Sequence, residues 1–202
     1  QEGFISVIAW FSLVGIALGV ATLIIVMSVM NGFRHELLGR ILGINGHLSI
    51  YGPVAGQMTD YQPVLTKVKG LEGIISANPL IEGQVMASAN NVAKGAIVRG
   101  IRAEDLANRK IVAENIKQGS LQDFKGDDVV VIGTRLAQSM GLRIGDSITL
   151  ISPKGNVTAF GTVPRMRAFK IVAEFEIGMF EYDSSFVFMP LEAAQIYFRM
   201  PD

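Results

Sequence analysis

The residues that could do chemistry are few. Two histidines, His35 and His47, stand twelve positions apart. A zinc site needs three or four ligands, so two imidazoles alone do not make one. They read instead as an interfacial and a surface histidine. Glu174, Glu176, Glu181 and Asp183 are the nearest approach to paired carboxylates. Glu174 and Glu176 lie two apart on a predicted strand, so they share its solvent face, the ordinary place for charge. There is no GxxxxGK[ST], no GxGxxG and no GxSxG, which removes the phosphate-binding loops and the serine nucleophile elbow. With no cysteine in the chain, disulfides, thiolate metal sites and cysteine nucleophiles go too. No catalytic residue, metal or cofactor is expected. Eighteen Lys and Arg balance eighteen Asp and Glu, which argues against nucleic acid as partner, since phosphate binding needs surplus cations.

What remains is the chemistry of recognition. Residues 152–168, SPKGNVTAFGTVPRMRA, lie between two predicted strands, Ile148–Ile151 and Phe169–Ile177. Hairpin loops usually run two to five residues, and far longer ones in compact domains are functional or disordered. Pro153 and Pro164 frame this one, Phe160 sits in its middle, and Arg165, Met166 and Arg167 close it. It reads as a protruding β-hairpin with an aromatic tip and a basic base, suited to strand or groove recognition.

The elements that must carry this loop begin with a membrane span. From Gly3 to Phe33 no residue is charged. A helix of that length measures about 46 Å, and the hydrocarbon core is about 30 Å thick, so the surplus projects as a stalk. The start, Gln-Glu-Gly, lacks the basic leader of a cleaved signal peptide. Gly15 and Gly19, four apart with Ala17 and Ala21 nearby, form a face on which another helix can pack closely. Arg34–Ile44 keeps helical spacing, with Leu37, Leu38, Ile41 and Leu42 as its apolar stripe, and Asn45-Gly46 stops it.

An α+β domain follows, with about eight short strands. Strands are predicted at His47–Tyr51, Gly73–Asn78, Gln84–Ala89, Ala96–Ile101, Asp128–Gly133, Ile148–Ser152, Phe169–Ile177 and Ser185–Met189. Asn90-Asn91 is the tip of a hairpin. Helices are predicted at Asp60–Lys69, capped by Thr59 or Asp60; at Glu104–Arg109; at Ile111–Gly119; from Thr134, as cap, to Met140; and from Pro190 to Phe198.

At this point the residues resemble a known family. SLVGIALGVATLIIVMSVMNGFRHELLGRILG is similar to the first transmembrane helix of the lipoprotein-releasing permeases (the LolC/LolE family), and TAFGTVPRMRAFKIVAEFEIGMFEYDSSFVFMPLEAAQIYF is similar to a later stretch of the same proteins. The resemblance covers essentially the whole chain and is LolC-like. It implies an ABC transporter permease of the mechanotransmission class, with four transmembrane helices and a MacB-like periplasmic core between the first two. Two permease copies, as homo- or heterodimer, would work with cytoplasmic ATPase subunits that alone hydrolyse ATP. The complex would extract lipoproteins from the inner membrane and pass them to a periplasmic carrier.

Residues 152–168 would then be the hook that captures the carrier, through Thr158, Phe160, Gly161, Val163, Pro164, Arg165, Met166 and Arg167. Arg167 falls on a basic carrier-contact position. A second basic position of the family falls near Thr149, where this chain departs from the pattern. Met27, Met30 and Phe33 fall where the family's acyl chains sit. The resemblance places residues after about 34 in the periplasm. It implies residues 1–44 as helix and stalk, and 45–202 as a domain of two subdomains. The outer one takes about 45–95 plus 178–202, and the inserted one about 96–177 with the hook. Transmembrane helices two to four would lie outside this chain. A related mechanotransmission exporter, a cell-wall-hydrolase regulator and a single-span anchored binding module are the competing readings.

Overall fold

The computed structural model describes residues 2–52, 58–158 and 161–200. Two compact units divide at His47 and Leu48. The first is one helix, α1 (Glu2–Asn45). Apart from the half-buried Val14, its apolar side chains from Ile5 to Phe33 are exposed, and it is long and apolar enough to cross a bilayer. In its polar part Arg40 Nε donates to Glu36 at 2.8 Å, one turn apart. Gly46, at φ +73°, ends the helix with the left-handed turn that glycine adopts freely.

Among its described residues the second unit holds seven strands: β1 (Ile81–Ala89), β2 (Val92–Ile101), β3 (Ile116–Gly119), β4 (Val129–Gly133), β5 (Ser147–Thr158), β6 (Gly161–Phe175) and β7 (Phe186–Pro190). Six helices accompany them: α2 (Gln62–Lys69), α3 (Ala103–Asn108), α4 (Lys110–Ala113), α5 (Thr134–Met140), α6 (Phe180–Ser185) and α7 (Leu191–Phe198). The strand order is β3-β6-β4-β7-β2-β1-β5, and β5 also pairs with β6. The ladders therefore close a six-strand ring, β6-β4-β7-β2-β1-β5-β6, with β3 added beside the late part of β6. β2–β7 and β4–β6 are parallel and the other pairs antiparallel.

The core fills this ring. Val85, Ala87, Val98, Val130, Ile132, Ile148, Leu150, Phe169, Ile171, Val187 and Met189 alternate inward along their strands. Leu136 and Met140 of α5 and Ala193, Ala194 and Tyr197 of α7 complete the cluster. Asn90 and Asn91, both at positive φ, make the two-residue turn β1–β2, as their residue types predict. α5 starts at Thr134 as its first helical residue rather than as its cap. The Thr134 hydroxyl donates to the Phe175 carbonyl at 2.9 Å instead, tying α5 to β6.

Several expectations are corrected. His47–Tyr51 and Gly73–Asn78 are not strands, because among the described residues no ladder is formed with them beyond a single bridge at Gly52. Ile111–Gly119 is helical only to Ala113 and then becomes β3. α2 begins at Gln62 with Tyr61 at its cap and no side-chain cap bond, so neither Thr59 nor Asp60 caps it. The segment 152–168 is not a loop: both strands run through it. Strands from the segments 45–95, 96–177 and 178–202 all enter the one sheet.

Candidate partner-binding hairpin

The two strands that frame residues 152–168 are each far longer than their apolar alternation suggests. β5 and β6 stay in register from Ser147↔Lys170 to Ser152↔Arg165, shift, and resume from Asn156↔Val163 to Thr158↔Gly161. The near part is held from both sides. β1 pairs with β5 at Thr149, Leu150 and Ile151, and β4 pairs with β6 from Lys170 onward. Beyond Ser152 and Arg165 the two strands pair only with each other among the described residues. A Cβ on Gly155 would collide with the Val163 carbonyl, so only glycine fits there.

The side chains at the base follow the strand period. Arg165, Arg167 and Phe169 share one face of β6. Phe169 is buried in the core against Tyr197, ring edge to face at 5.6 Å. Arg167 lies 5.5 Å above the Phe169 ring and pairs with Asp128 at 2.5 Å. Arg165 donates from Nη1 to the Tyr197 carbonyl at the end of α7, at 2.8 Å. Neither arginine is a free cation: one pins the hairpin to α7 and the other to the turn before β4. On the opposite face Met166, 66% exposed, aligns with Ile151 and Met86 across three strands. Val163 is 55% exposed, and Pro164 is exposed beside it.

The predicted hook residues are thus brought together on one hairpin. Val163, Pro164, Arg165, Met166 and Arg167 are described. Thr158 and Gly161 form the last ladder pair, and Phe160 lies outside the described residues. Thr149 sits in the paired base of the hairpin, opposite Ala168 and Ser88. On α1, Met27, Met30 and Phe33 are exposed, and a Cβ on Gly15 or Gly19 would meet open space among the described residues. Asp128, Gly155, Tyr197 and the row Met86–Ile151 escaped sequence reasoning. Their roles depend on which strands become neighbours, and no local pattern announces that.

The acidic group is not as predicted. Glu174 is 4% exposed, because β6 passes there between β3 and β4 and its second face is covered. Burial pushes its carboxyl above the usual range. Asp183 is fully buried and accepts the Ile177 amide at 2.9 Å and the Gly178 amide at 3.0 Å. Burial raises its pKa and these two bonds counter part of the rise. Glu176 pairs loosely with Lys117 at 3.7 Å. Asp183 braces the turn into α6. Among the described residues no group of His, Asp and Glu is placed to hold a metal.

The chain is 34% identical over 203 residues to the lipoprotein-releasing system transmembrane protein LolC of Neisseria meningitidis, covering 99% of this chain and 48% of that protein. It is 29% identical to the corresponding protein LolE of Haemophilus influenzae, covering 98% of this chain and 48% of the relative. The chain thus spans about half the length of these curated relatives. The crystallised periplasmic region of MacB from Actinobacillus actinomycetemcomitans aligns at TM-score 0.45 and 14% identity, over 77% of this chain and 62% of that one. The family model of the MacB-like periplasmic core domain matches residues 9–202, nearly the whole sequence, and the chain belongs to that family.

Proposed function

We propose that this chain is part of a permease subunit of an ABC transporter for lipoprotein release, and that the β5–β6 hairpin captures a periplasmic lipoprotein carrier. The names of the LolC and LolE relatives support the transport reading. The observation that carries the hairpin's role is its outer half, which among the described residues pairs with nothing but itself and offers Val163 and Pro164 to solvent, with exposed Met166 just below it. An unpartnered two-stranded ribbon is marginal alone, so its extension beyond the sheet is best explained by a partner that completes it.

In this reading α1 lies in the bacterial inner membrane and residues from about 34 onward lie in the periplasm. A second permease copy packs on the Gly15–Gly19 face, and lipoprotein acyl chains meet Met27, Met30 and Phe33, whose flexible methionines suit variable chains. ATP hydrolysis belongs to separate cytoplasmic ATPase subunits. In this reading the hairpin is where the transporter's motion reaches the carrier.

The test is carrier binding by the purified protein, by surface plasmon resonance. Replacing residues 154–163 with a two-residue turn is expected to abolish binding, and Arg167→Glu to weaken it at least about tenfold. The double variant Arg167→Glu/Asp128→Lys restores the ion pair with reversed sign. It should recover stability and not binding if Arg167 faces the carrier. Unchanged binding in both the shortened hairpin and Arg167→Glu would remove the carrier assignment.

A further inference from the structure

Glu174 is buried on different terms from Asp183. It is 4% exposed, and among the described residues no hydrogen bond or ion pair reaches its carboxyl. An ionised carboxylate in such a place lacks both water and a counter-charge, and proteins avoid that cost by keeping the group neutral. The charges on the elements packed against β6 do not supply the counter-charge. On β3, Lys117 pairs with Glu176. On α5, Arg135 lies 5.4 Å from the Phe180 ring. β4 carries no charged side chain from Val129 to Gly133, and the short turn Leu121–Asp123 brings only the acidic Asp123. Burial is what raises the pKa of Glu174, with no contribution from a neighbouring charge.

The two strands that flank this position differ in strength. β4 pairs with both β6 and β7 and so belongs to the ring. Its Ile132, opposite Glu174, is fully buried. β3 is a four-residue strand with three ladder pairs, and its register shifts between Ile116 and Gln118. Gln118 stands opposite Glu174 and is exposed, so solvent begins one residue away on that side. Just outside the ladder the Asn115 carbonyl accepts from the Glu176 amide at 3.0 Å, and the Ser120 amide donates to the Val172 carbonyl at 3.3 Å. Residues 115–120 are therefore the stretch that β6 holds at this edge. A short edge strand of this kind opens at far lower cost than a strand inside the ring.

We propose that Glu174 is a proton-operated latch on the β3 edge: with its proton it stays covered and β3 stays paired, and without it β3 parts from β6 while the six-strand ring keeps its core. The proton passes from the carboxyl to solvent, and water enters to solvate the carboxylate that remains. The sign follows from burial. The folded carboxyl holds its proton more tightly than the unfolded one. The closed edge is thus favoured in full below the ordinary glutamate pKa, and that advantage is lost as pH rises through the raised one. An apolar residue at 174 would close the edge at every pH, whereas a carboxyl makes closure conditional.

Hydrogen exchange by mass spectrometry on the full-length protein in detergent tests this. The wild type is compared with Glu174→Gln at one pH at a time, so that intrinsic exchange cancels. Glutamine copies the protonated carboxyl in shape and charge. At about pH 8 residues 115–120 should exchange at least about tenfold faster in the wild type than in Glu174→Gln, and at about pH 5 the two should agree within about twofold. β2 and β7 should be equally protected in both proteins at both pH values. The same ratios should persist when both proteins also carry Glu176→Gln. A ratio that does not change with pH overturns the proposal. So does a pH-dependent difference that spreads to β2 and β7, which would make the carboxyl a global destabiliser and not a latch. Loss of the difference in the Glu176→Gln background would assign the titration to the exposed Lys117–Glu176 pair and overturn it too. If Glu174→Gln does not fold, the neutral form is not the closed one, and the proposal fails. The inference does not use the carrier reading, and the two fail independently.

Discussion

The two halves of the β5–β6 hairpin share strands, hydrogen-bond pattern and sequence character, yet meet opposite environments. In the near half, from Ser147 to Ser152 and from Arg165 to Lys170, Ile148, Leu150 and Phe169 are in the core and both outer edges are paired or pinned. In the far half neither edge has a partner among the described residues. Strand pairing alone does not anchor a ribbon; burial of one of its faces does. The root therefore holds stability and the outer half is free to serve recognition. Arg165 and Gly155 sit at the border between them.

The largest way to break this contrast is to empty the root. Phe169→Ala should cost about 3–5 kcal/mol, read by urea denaturation, because Phe169 is 1% exposed and packs on Tyr197. The matching change outside, Val163→Ala, should leave the denaturation midpoint almost unmoved. Arg165→Ala removes the charged bond from the hairpin to the α7 carbonyl and should cost about 1.5–3 kcal/mol. Faster exchange should appear in α7 as well as in the hairpin; exchange confined to one of them would deny the tie. Gly155→Ala forces a backbone shift worth about 1–3 kcal/mol. It should change carrier binding more than the thermal midpoint, since it strikes at the border.

A smaller effect separates packing from charge. The Tyr197 hydroxyl is buried without a hydrogen-bond partner among the described residues, and burial pushes its pKa up to about 12 against the nearby Arg165. A folded pKa above the unfolded value means stability that is present below pH 10 and is lost as pH rises toward 12. Tyr197→Phe should flatten that alkaline loss and change neutral stability by less than about 1 kcal/mol. The smallest effect expected is Asp128→Asn. The Arg167–Asp128 pair is surface-exposed on the aspartate side, so its loss should cost under about 1 kcal/mol. A much larger cost would mean that the pair, and not the core, fixes the hairpin's base.

The chain determined by itself whatever depends on neighbours in sequence. The long uncharged run made α1, the Asn90-Asn91 pair made the β1–β2 turn, the apolar run Val129–Ile132 made β4, and Pro190 with its following helix formers made α7. The unusual connection around 163–167 was also legible, because two prolines and two arginines stand between strands there. Only the tertiary structure decided the rest. Residues 152–158 and 161–164 became strand because β5 and β6 had each other to pair with, while 47–51 and 73–78, with equal local claim, formed no ladder among the described residues. Glu174 became buried because β6 crosses from an outer position into the space between β3 and β4. Arg165 and Arg167 found Tyr197 and Asp128, more than thirty residues away. Helices and tight turns satisfy their backbone within a few residues, whereas a strand takes its partners, its buried face and its charges' counterparts from distant chain.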